Sequence, residues 1–271
     1  MTADLQHTRS GRIGLCFRDK GTGPTVVLLH GTTASLGVWD PVADRIGDRV
    51  RTIAVDQRGH GRSDKPAEGY GVSDYCSDVL ALIAELDCGP VVVCGHSLGA
   101  RNAVVLGRQH PESVVGVVAV DYTPYVEPHV LDDLEARVRG GDRRFDSEAE
   151  IEDYLRRRYP LMPVDALRRR IAYGYVREGD GFRALADPAA MVRTVQGLRC
   201  DFAAEARDIT VPVVLVRGER SRIVSDEAFA ATRRLRPDFR AVEVPEADHY
   251  IPEENPEVVA GEITRMVQAV M

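Results

Sequence analysis

Lysine is nearly absent from this 271-residue sequence, which also lacks the sequence features typical of membrane-spanning and secreted proteins. Only two of its 35 basic residues are lysines, Lys20 and Lys65. No stretch approaches the ~18 uninterrupted apolar residues of a membrane-spanning helix, and the first twelve residues lack the apolar core of a secretory signal peptide. We therefore expect a cytoplasmic protein with no membrane partner.

Cysteine is also scarce. The five cysteines are scattered and form neither a CxxC pair nor another metal-ligand spacing, which is typical of reduced thiols. The seven histidines are equally dispersed, so the sequence predicts no metal site and no cofactor. A net charge of −7 argues against a surface that binds nucleic acid.

Short β-branched runs alternate with longer helical patterns along most of the chain. This order is typical of βαβ units and a mostly parallel sheet. The run Thr25–His30 is apolar on both faces, as a buried parallel strand should be. The alternating segment Arg12–Arg18 instead predicts an antiparallel edge strand. The other predicted strands are Val50–Val55, Val91–Cys94, Val114–Val120, Val211–Val216 and Arg240–Val244.

One long stretch interrupts the alternation. From Tyr122 to about Asp208 the sequence shows no strand pattern, only charged helical segments. An insertion of that length predicts a helical cap over the carboxyl edge of the sheet, where open α/β sheets bind ligands. The expected organisation is a core formed by residues 1–121 and 209–271, with the cap formed by residues 122–208.

The segment Gly95-His96-Ser97-Leu98-Gly99 is the first that carries chemistry. A G-x-S-x-G motif is common by chance, but here an apolar strand runs directly into it and a helix begins directly after it. Glycines on either side of such a turn leave room for a crowded backbone, and the serine hydroxyl is exposed above the sheet edge. We predict that Ser97 is a nucleophile.

A serine that attacks a carbonyl needs two N–H donors for the developing oxyanion. The backbone amide of Leu98, just after the nucleophile, is one predicted donor. The other is the amide of Thr32, in the loop that follows the first parallel strand. His30 is better interpreted as a residue that shapes this loop, and His60 as part of a scaffold.

The general base that accepts the serine proton is expected late in the chain. His249 lies in the loop after the last predicted strand, and the histidine before it is His129. We therefore predict that His249 is the base.

These motifs together resemble the α/β-hydrolase superfamily over essentially the whole chain. The motifs are an HG loop, D-x-R-G-H-G-x-S at 56–63, G-H-S-L-G at 95–99, an inserted cap and a late Asp248-His249. The resemblance implies the α/β-hydrolase fold and a serine, histidine and acid triad. In most members the acid follows the strand after the cap, in a G-x-x-D pattern. Here that pattern reads Gly218-Glu219-Arg220-Ser221, so Ser221 stands where the aspartate is expected.

The acid of the triad therefore has several candidates. Asp121 ends the strand Val114–Val120, next along the chain after the nucleophile strand, so it would lie at the same sheet edge as Ser97. Some members of the superfamily take their acid from this earlier strand. Asp121 is the favoured acid, and its role would be to hold the imidazole in the right tautomer. Glu219 and Asp226 are the alternatives.

The predicted cap is rich in arginine, with ten arginines between residues 137 and 170. Most should pair with Asp and Glu on solvated helix faces. One or two that point inward would bind a carboxylate, because a guanidinium binds a carboxylate through two hydrogen bonds.

A closer resemblance concerns the tail of the chain, from Gly218 to Tyr250, which is similar to amidases of vitamin B6 degradation. It implies that Arg137, Arg158, Tyr159 and Tyr250 bind the carboxylates of the substrate.

The sequence thus predicts a cofactor-free serine hydrolase that cleaves the amide of a small dicarboxylate enamide, its small-molecule anionic substrate. One alternative keeps the fold and cleaves an ester, lactone or carbon–carbon bond in another small anionic substrate. A second alternative is a non-catalytic ligand receptor, and a cofactorless dioxygenase is a minor third. No pattern in the sequence indicates an oligomeric state.

Overall fold

A mostly parallel sheet forms the centre of the computed structural model, which describes residues 4–8 and 13–271. Within these residues, eight strands pair in the order β1-β2-β4-β3-β5-β6-β10-β11, and β7, β8 and β9 form a second, smaller sheet. The pairs β1/β2 and β2/β4 are antiparallel, and the other neighbours in the large sheet are parallel. The strands are β1 (Gln6–His7), β2 (Cys16–Lys20), β3 (Thr25–Leu29), β4 (Arg51–Val55), β5 (Val91–His96), β6 (Val114–Val120), β7 (Arg144–Phe145), β8 (Tyr175–Glu178), β9 (Gly181–Ala184), β10 (Val213–Gly218) and β11 (Arg240–Val244).

The predicted α/β architecture and its parallel strands are confirmed, with shifts of one or two residues at several strand ends. The segment predicted as an antiparallel edge strand, Arg12–Arg18, differs more. Arg12 lies outside the described residues, and the strand begins at Cys16. It is antiparallel as predicted, but it is not at the edge, because β1 pairs along its outer side.

Helices cover both faces of the large sheet. Side chains alternate along β3, so Val27 and Leu29 pack on one face and Val26 and Leu28 on the other. The first face is covered by α2 and α3, and the second by α1 and α11. A 3-10 helix spans Leu36–Trp39. The α-helices are α1 (Asp40–Ile46), α2 (Val72–Glu85), α3 (Leu98–Gln109), α4 (Pro128–Arg139), α5 (Glu148–Arg158), α6 (Val164–Gly174), α7 (Pro188–Gly197), α8 (Ala203–Asp208), α9 (Asp226–Leu235), α10 (Ile251–Glu254) and α11 (Pro256–Val270).

The chain between β6 and β10 holds helices α4 to α8, and it also holds strands that the sequence did not predict. The expectation of a purely helical cap is wrong, because β7, β8 and β9 form a three-stranded antiparallel sheet there. These strands are only two to four residues long and carry charged side chains. They therefore lack the apolar, β-branched run by which the core strands could be recognised.

A small apolar cluster joins this sheet to the neighbouring cap helices. It includes Phe145 of β7, Ile151 and Leu155 of α5, and Leu167 of α6. The cluster fixes the end of α5 and the start of α6 relative to each other, which matters for the arginines described below. Over the described part of the chain, none of the helices combines the length and the apolar character needed to span a membrane.

Candidate active site

Ser97 lies at a sharp turn between β5 and α3. Its backbone angles are φ 53° and ψ −112°, a strained conformation for a residue with a side chain. The turn also brings backbones very close together. A Cβ added to Gly95 would lie 2.1 Å from the carbonyl oxygen of Gly99, and one added to Gly99 would lie 2.0 Å from that of Leu29. Only glycine fits at these two positions, as the motif predicts.

His249 and Asp121 form a buried hydrogen-bonded pair at the same edge of the sheet. Nδ1 of His249 lies 2.6 Å from Oδ2 of Asp121, whose side chain is fully buried. A carboxylate only accepts hydrogen bonds, so the imidazole donates through Nδ1 and its Nε2 is left able to accept a proton. Asp121 is itself at a positive φ of 49°, directly after β6.

Two further groups hold the Asp121 carboxylate. The Gly218 amide donates to Oδ1 at 3.1 Å, and the Ser221 hydroxyl donates to Oδ2 at 2.6 Å. Ser221 stands at the position where the sequence pattern expected an aspartate. The structure gives this residue a part in the same network, because it fixes the carboxylate that comes from the other strand.

The two alternative acids lie elsewhere. Glu219 is exposed, and its carboxylate accepts from the amide of Glu246 at 2.8 Å. The side chain of Asp226 is 93% exposed and pairs with Arg217. The hydrogen-bond partner of His249 is Asp121 rather than either of these residues.

The predicted oxyanion donors lie on either side of Ser97. Leu98 is the first residue of α3, so its amide has no carbonyl partner within its own helix. The loop that carries Thr32 approaches the serine closely, since a Cβ added to Gly31 would lie 3.3 Å from Cβ of Ser97. Thr32, Ser97 and His249 line one cavity.

His96 is a site neighbour that sequence reasoning missed. Its Nε2 donates to the carbonyl of His249 at 2.8 Å, and the two rings lie 4.5 Å apart between centroids. Burial and the neighbouring His249 lower the pKa of His96 well below its usual value, so its ring stays neutral. His96 therefore braces the backbone of His249. The only signal in the sequence is its place beside the serine.

His30 and His60 are buried in the scaffold, as the sequence predicted. His30 donates through Nδ1 to the carbonyl of Gly31 at 2.8 Å and accepts at Nε2 from the amide of Gln57 at 3.1 Å. Both ring nitrogens of His30 are thus occupied, which leaves none for a serine proton. Burial lowers the pKa of His60 to about 4.

Arg137 and Arg158 reach from the cap into the cavity that Ser97 lines. Arg137 donates to the Tyr250 hydroxyl at 3.2 Å, and Arg158 donates to the Tyr159 hydroxyl at 3.1 Å. Among the described residues, neither guanidinium has a carboxylate within salt-bridge distance. We call this space the cationic cavity; the residues that line it include Thr32, Ser97, Leu134, Arg137, Arg158, Tyr159, Arg170, Ile223, His249 and Tyr250.

The other cap arginines mostly behave as expected for solvated helix faces. Five of them pair with a nearby acid: Arg139 with Glu135, Arg143 with Glu150, Arg144 with Glu178, Arg156 with Glu152 and Arg169 with Asp165. The contrast sets Arg137 and Arg158 apart as the two cap arginines that face a cavity without an acid partner.

Arg170 is a third cavity residue, which the sequence did not single out. It is buried and pairs with Glu253, its Nε lying 2.9 Å from Oε1. Its guanidinium also lies over the rings of Tyr159 and Tyr250, at 4.5 and 5.0 Å from their centroids. Because Glu253 balances its charge, Arg170 mainly joins α6 of the cap to the segment after His249.

These cations act on the two tyrosines differently. Burial alone would raise the pKa of Tyr159, but Arg170, Arg158 and Arg137 together lower it below its usual value. Burial raises the pKa of Tyr250 to about 12. Within the described residues, no group of three or more His, Cys, Asp or Glu side chains could hold a metal ion.

Comparison with known proteins tests the predicted family. The alpha/beta hydrolase family profile matches residues 26–262. A 2-(acetamidomethylene)succinate hydrolase of Mesorhizobium japonicum is 49% identical over 96% of this chain and 93% of its own. An esterase of Mycobacterium tuberculosis is 30% identical over 95% of this chain and 88% of its own. A crystal structure of E-2-(acetamidomethylene)succinate hydrolase superposes with a TM-score of 0.95 at 47% identity, covering 97% of this chain and 98% of that one.

The predicted family resemblance is thereby confirmed over most of the sequence and over the fold. The chain belongs to the alpha/beta hydrolase family.

Proposed function

We propose that this chain is a serine amidohydrolase that cleaves the acetyl amide of (E)-2-(acetamidomethylene)succinate. The observation that carries the proposal is the cationic cavity, where Arg137 and Arg158, without acid partners, share a wall with Ser97 and His249. A substrate with two carboxylates supplies the negatively charged partners that these two arginines lack. The relative that is 49% identical carries the corresponding name.

In the first step, Ser97 attacks the acetyl carbonyl carbon while Nε2 of His249 takes the hydroxyl proton. Asp121 holds His249 in the tautomer that can accept this proton, and it stabilises the imidazolium that forms. The amides of Leu98 and Thr32 donate to the oxyanion of the tetrahedral intermediate.

The intermediate then collapses. The carbon–nitrogen bond breaks, His249 returns the proton to the nitrogen, and an enamine conjugated to a carboxylate leaves. That conjugation makes it a better leaving group than an ordinary amine. Water activated by His249 next cleaves the acetyl ester on Ser97 and releases acetate. The freed enamine takes up a second water and loses ammonia and carbon dioxide, which gives succinic semialdehyde.

The substrate carboxylates bind to Arg137 and Arg158 in this proposal. Each guanidinium now donates to a tyrosine hydroxyl, at 3.2 Å to Tyr250 and at 3.1 Å to Tyr159. A guanidinium binds a carboxylate more strongly than a neutral hydroxyl. The two tyrosines, each already within hydrogen-bond distance of an arginine, would add hydroxyl donors to the bound carboxylates.

A coupled assay for acetate and ammonia release from (E)-2-(acetamidomethylene)succinate tests the proposal, with p-nitrophenyl acetate run in parallel. We expect turnover of the dicarboxylate by the wild-type protein and a loss of several orders of magnitude in Ser97→Ala. Near-normal turnover by Ser97→Ala would contradict the proposal.

The second candidate is hydrolysis of an ester instead of this amide, which the M. tuberculosis esterase at 30% identity favours. The same assay separates the two. Turnover of p-nitrophenyl acetate without any turnover of the dicarboxylate would keep Ser97 as nucleophile and discard the substrate.

A further inference from the structure

A second cavity also borders Ser97. It has a volume of about 370 Å³ and lies between α4 of the cap and the core. Ser97 and Leu98 form part of its wall. We call it the apolar cavity; its apolar wall is formed mainly by Tyr125, Val130, Leu131, Leu134, Phe202 and Ile223.

The charged groups on the wall of this cavity are already engaged within the protein. Arg101 donates to the Asn102 side chain and, at 3.0 Å, to the carbonyl of Gly197. Arg199, at the rim, pairs with Asp132 at 2.8 Å. Arg101, like Arg137 and Arg158, has no acid partner among the described residues, but it is buried and held by the oxygens of Asn102 and Gly197. The cavity therefore offers a ligand mainly apolar surface.

The two cavities meet at the nucleophile, since Ser97, Leu134 and Ile223 line both. A carbonyl carbon placed at Ser97 has two substituents, and the geometry allows one in each cavity. With the charged leaving group in the cationic cavity, the acyl group extends into the apolar cavity.

An acetyl group is much smaller than the space available to it. Its three heavy atoms occupy roughly 90 Å³, at about 30 Å³ for each water-sized group. By the same measure the cavity of about 370 Å³ would hold the seven heavy atoms of a hexanoyl group, roughly 210 Å³, and also the nine of an octanoyl group, roughly 270 Å³.

We propose that the apolar cavity is an acyl-chain site, and that the protein hydrolyses straight-chain acyl groups of four to eight carbons faster than acetyl groups. The inference rests on the proposed function in two respects, that Ser97 is the nucleophile and that the leaving group of the natural substrate occupies the cationic cavity. Ser97 Oγ forms a bond to the acyl carbonyl carbon, the bond to the leaving group breaks, and His249 passes the serine proton to that group. Water then cleaves the acyl ester, which frees the fatty acid and restores Ser97.

A chain-length series tests the inference on the full-length protein. The substrates are the p-nitrophenyl esters of acetate, butyrate, hexanoate and octanoate, with Ser97→Ala as the background. Burial of each methylene should raise kcat/KM by up to about fourfold. We expect at least a tenfold rise in kcat/KM from acetate to hexanoate, with a further rise at octanoate.

A variant that fills the cavity provides the second arm. In Leu131→Trp the ratio of kcat/KM for hexanoate to that for acetate should fall to about one. If this variant does not fold, Leu131→Phe should lower the ratio partway. Leu161→Trp is the matched control, because Leu161 is an exposed cap residue outside the cavity, and it should keep the wild-type ratio.

The outcomes separate this inference from the proposed function. A kcat/KM that is highest for acetate and falls with chain length would overturn the inference, since the cavity would then be only an entrance. A ratio unchanged in the folded Leu131 variants would overturn it as well. A rising series without turnover of (E)-2-(acetamidomethylene)succinate would support the acyl site while the dicarboxylate proposal fails.

Discussion

Replacement of Asp121 by asparagine is the sharpest test of how this site works. The change removes the negative charge but almost no volume. Asparagine also tolerates the positive φ of 49° found at this position better than most residues do. We therefore expect the variant to fold, so that any loss of activity reports on the hydrogen bonds of the site.

The size of the effect follows from the three donors around the carboxylate. Oδ2 receives the Nδ1 proton of His249 and the hydroxyl of Ser221, and Oδ1 receives the amide of Gly218. The NH₂ group of the new asparagine must point either toward Gly218 or toward His249 and Ser221. Facing Gly218, it leaves a fixed backbone donor buried without an acceptor, which costs about 1–3 kcal/mol.

Facing His249 and Ser221, the NH₂ group meets partners that can adjust. The imidazole moves its proton from Nδ1 to Nε2, so its hydrogen bond survives. The Ser221 hydroxyl, which already accepts from the amides of Ile223 and Val224, can rotate its own proton away from the NH₂ group. This arrangement is therefore preferred, but an imidazole with its proton on Nε2 cannot accept the proton of Ser97. We expect kcat to fall by about 10⁴, the loss that the same change causes in serine proteases, or roughly 5 kcal/mol in activation free energy.

The assay is kcat and KM on p-nitrophenyl acetate and on the dicarboxylate, together with the thermal midpoint. KM should change little, since Asp121 acts through His249. Glu219→Gln and Asp226→Asn are matched controls, because each removes one carboxylate charge from the sheet edge, and both should stay within about twofold of wild type. A folded Asp121→Asn that keeps more than a tenth of the wild-type kcat would refute the reasoning.

Three further predictions concern binding, pH and stability. Arg158→Gln should raise KM for the dicarboxylate at least tenfold, because a hydrogen bond to a charged group contributes about 1.5–3 kcal/mol; exposed Arg157→Gln should leave it unchanged, and an equal effect of both changes would exclude a specific contact. Since the three arginines lower the pKa of Tyr159 below its usual value, the phenol should lose its proton before a free tyrosine does as the pH rises. The phenolate repels a substrate carboxylate and offsets part of the positive charge of Arg137 and Arg158, so KM should rise with pH in the alkaline range in wild type. Tyr159→Phe should abolish that rise, and a persisting rise would exclude Tyr159 as its source. His60, with its pKa lowered to about 4, takes up its proton in the unfolded state near pH 6.5, so its contribution to stability is complete above that pH and lost as the pH falls toward 4. Urea unfolding should show about 1.4 kcal/mol less stability per pH unit in this window from His60 alone, and His60→Gln should reduce the slope accordingly; an unchanged slope would contradict the assignment.

Much of the fold could be predicted from the sequence, because the patterns that specify its strands and turns lie within short segments. Apolar runs such as Val26–Leu29 pack on both faces, and that pattern differs from every solvent-facing segment. The sharp turn at Ser97 could be predicted as well, since its glycines are required by contacts within the turn itself and with the adjacent strand. The short cap strands could not be predicted, because a strand such as Arg144–Phe145 has too few residues to show the alternation of apolar and polar side chains.

The network around His249 could be predicted only in part. That Asp121 and Ser97 share a sheet edge follows from neighbouring parallel strands, which the sequence order predicts. The contact of Ser221 with Asp121 joins residues 100 positions apart, in the segments that follow strands β10 and β6. The brace from His96 to the carbonyl of His249 spans 153 positions. Contacts of this kind depend on how distant strands and loops are brought together, and no spacing in the chain encodes them.

The cap arginines show most clearly which features the sequence determines and which depend on the tertiary structure. Ten arginines between residues 137 and 170 have the same chemistry and similar neighbours in sequence. By itself the sequence determined that the cap is cationic and that acids lie close enough to pair with most of these side chains. Only the tertiary structure decided which guanidinium groups turn away from water, because that depends on how the helices of Arg137, Arg158 and Arg170 pack over the sheet edge. A residue's type fixes what it can bind, while the packing of remote elements fixes whether an acid, a tyrosine or an empty cavity lies within its reach.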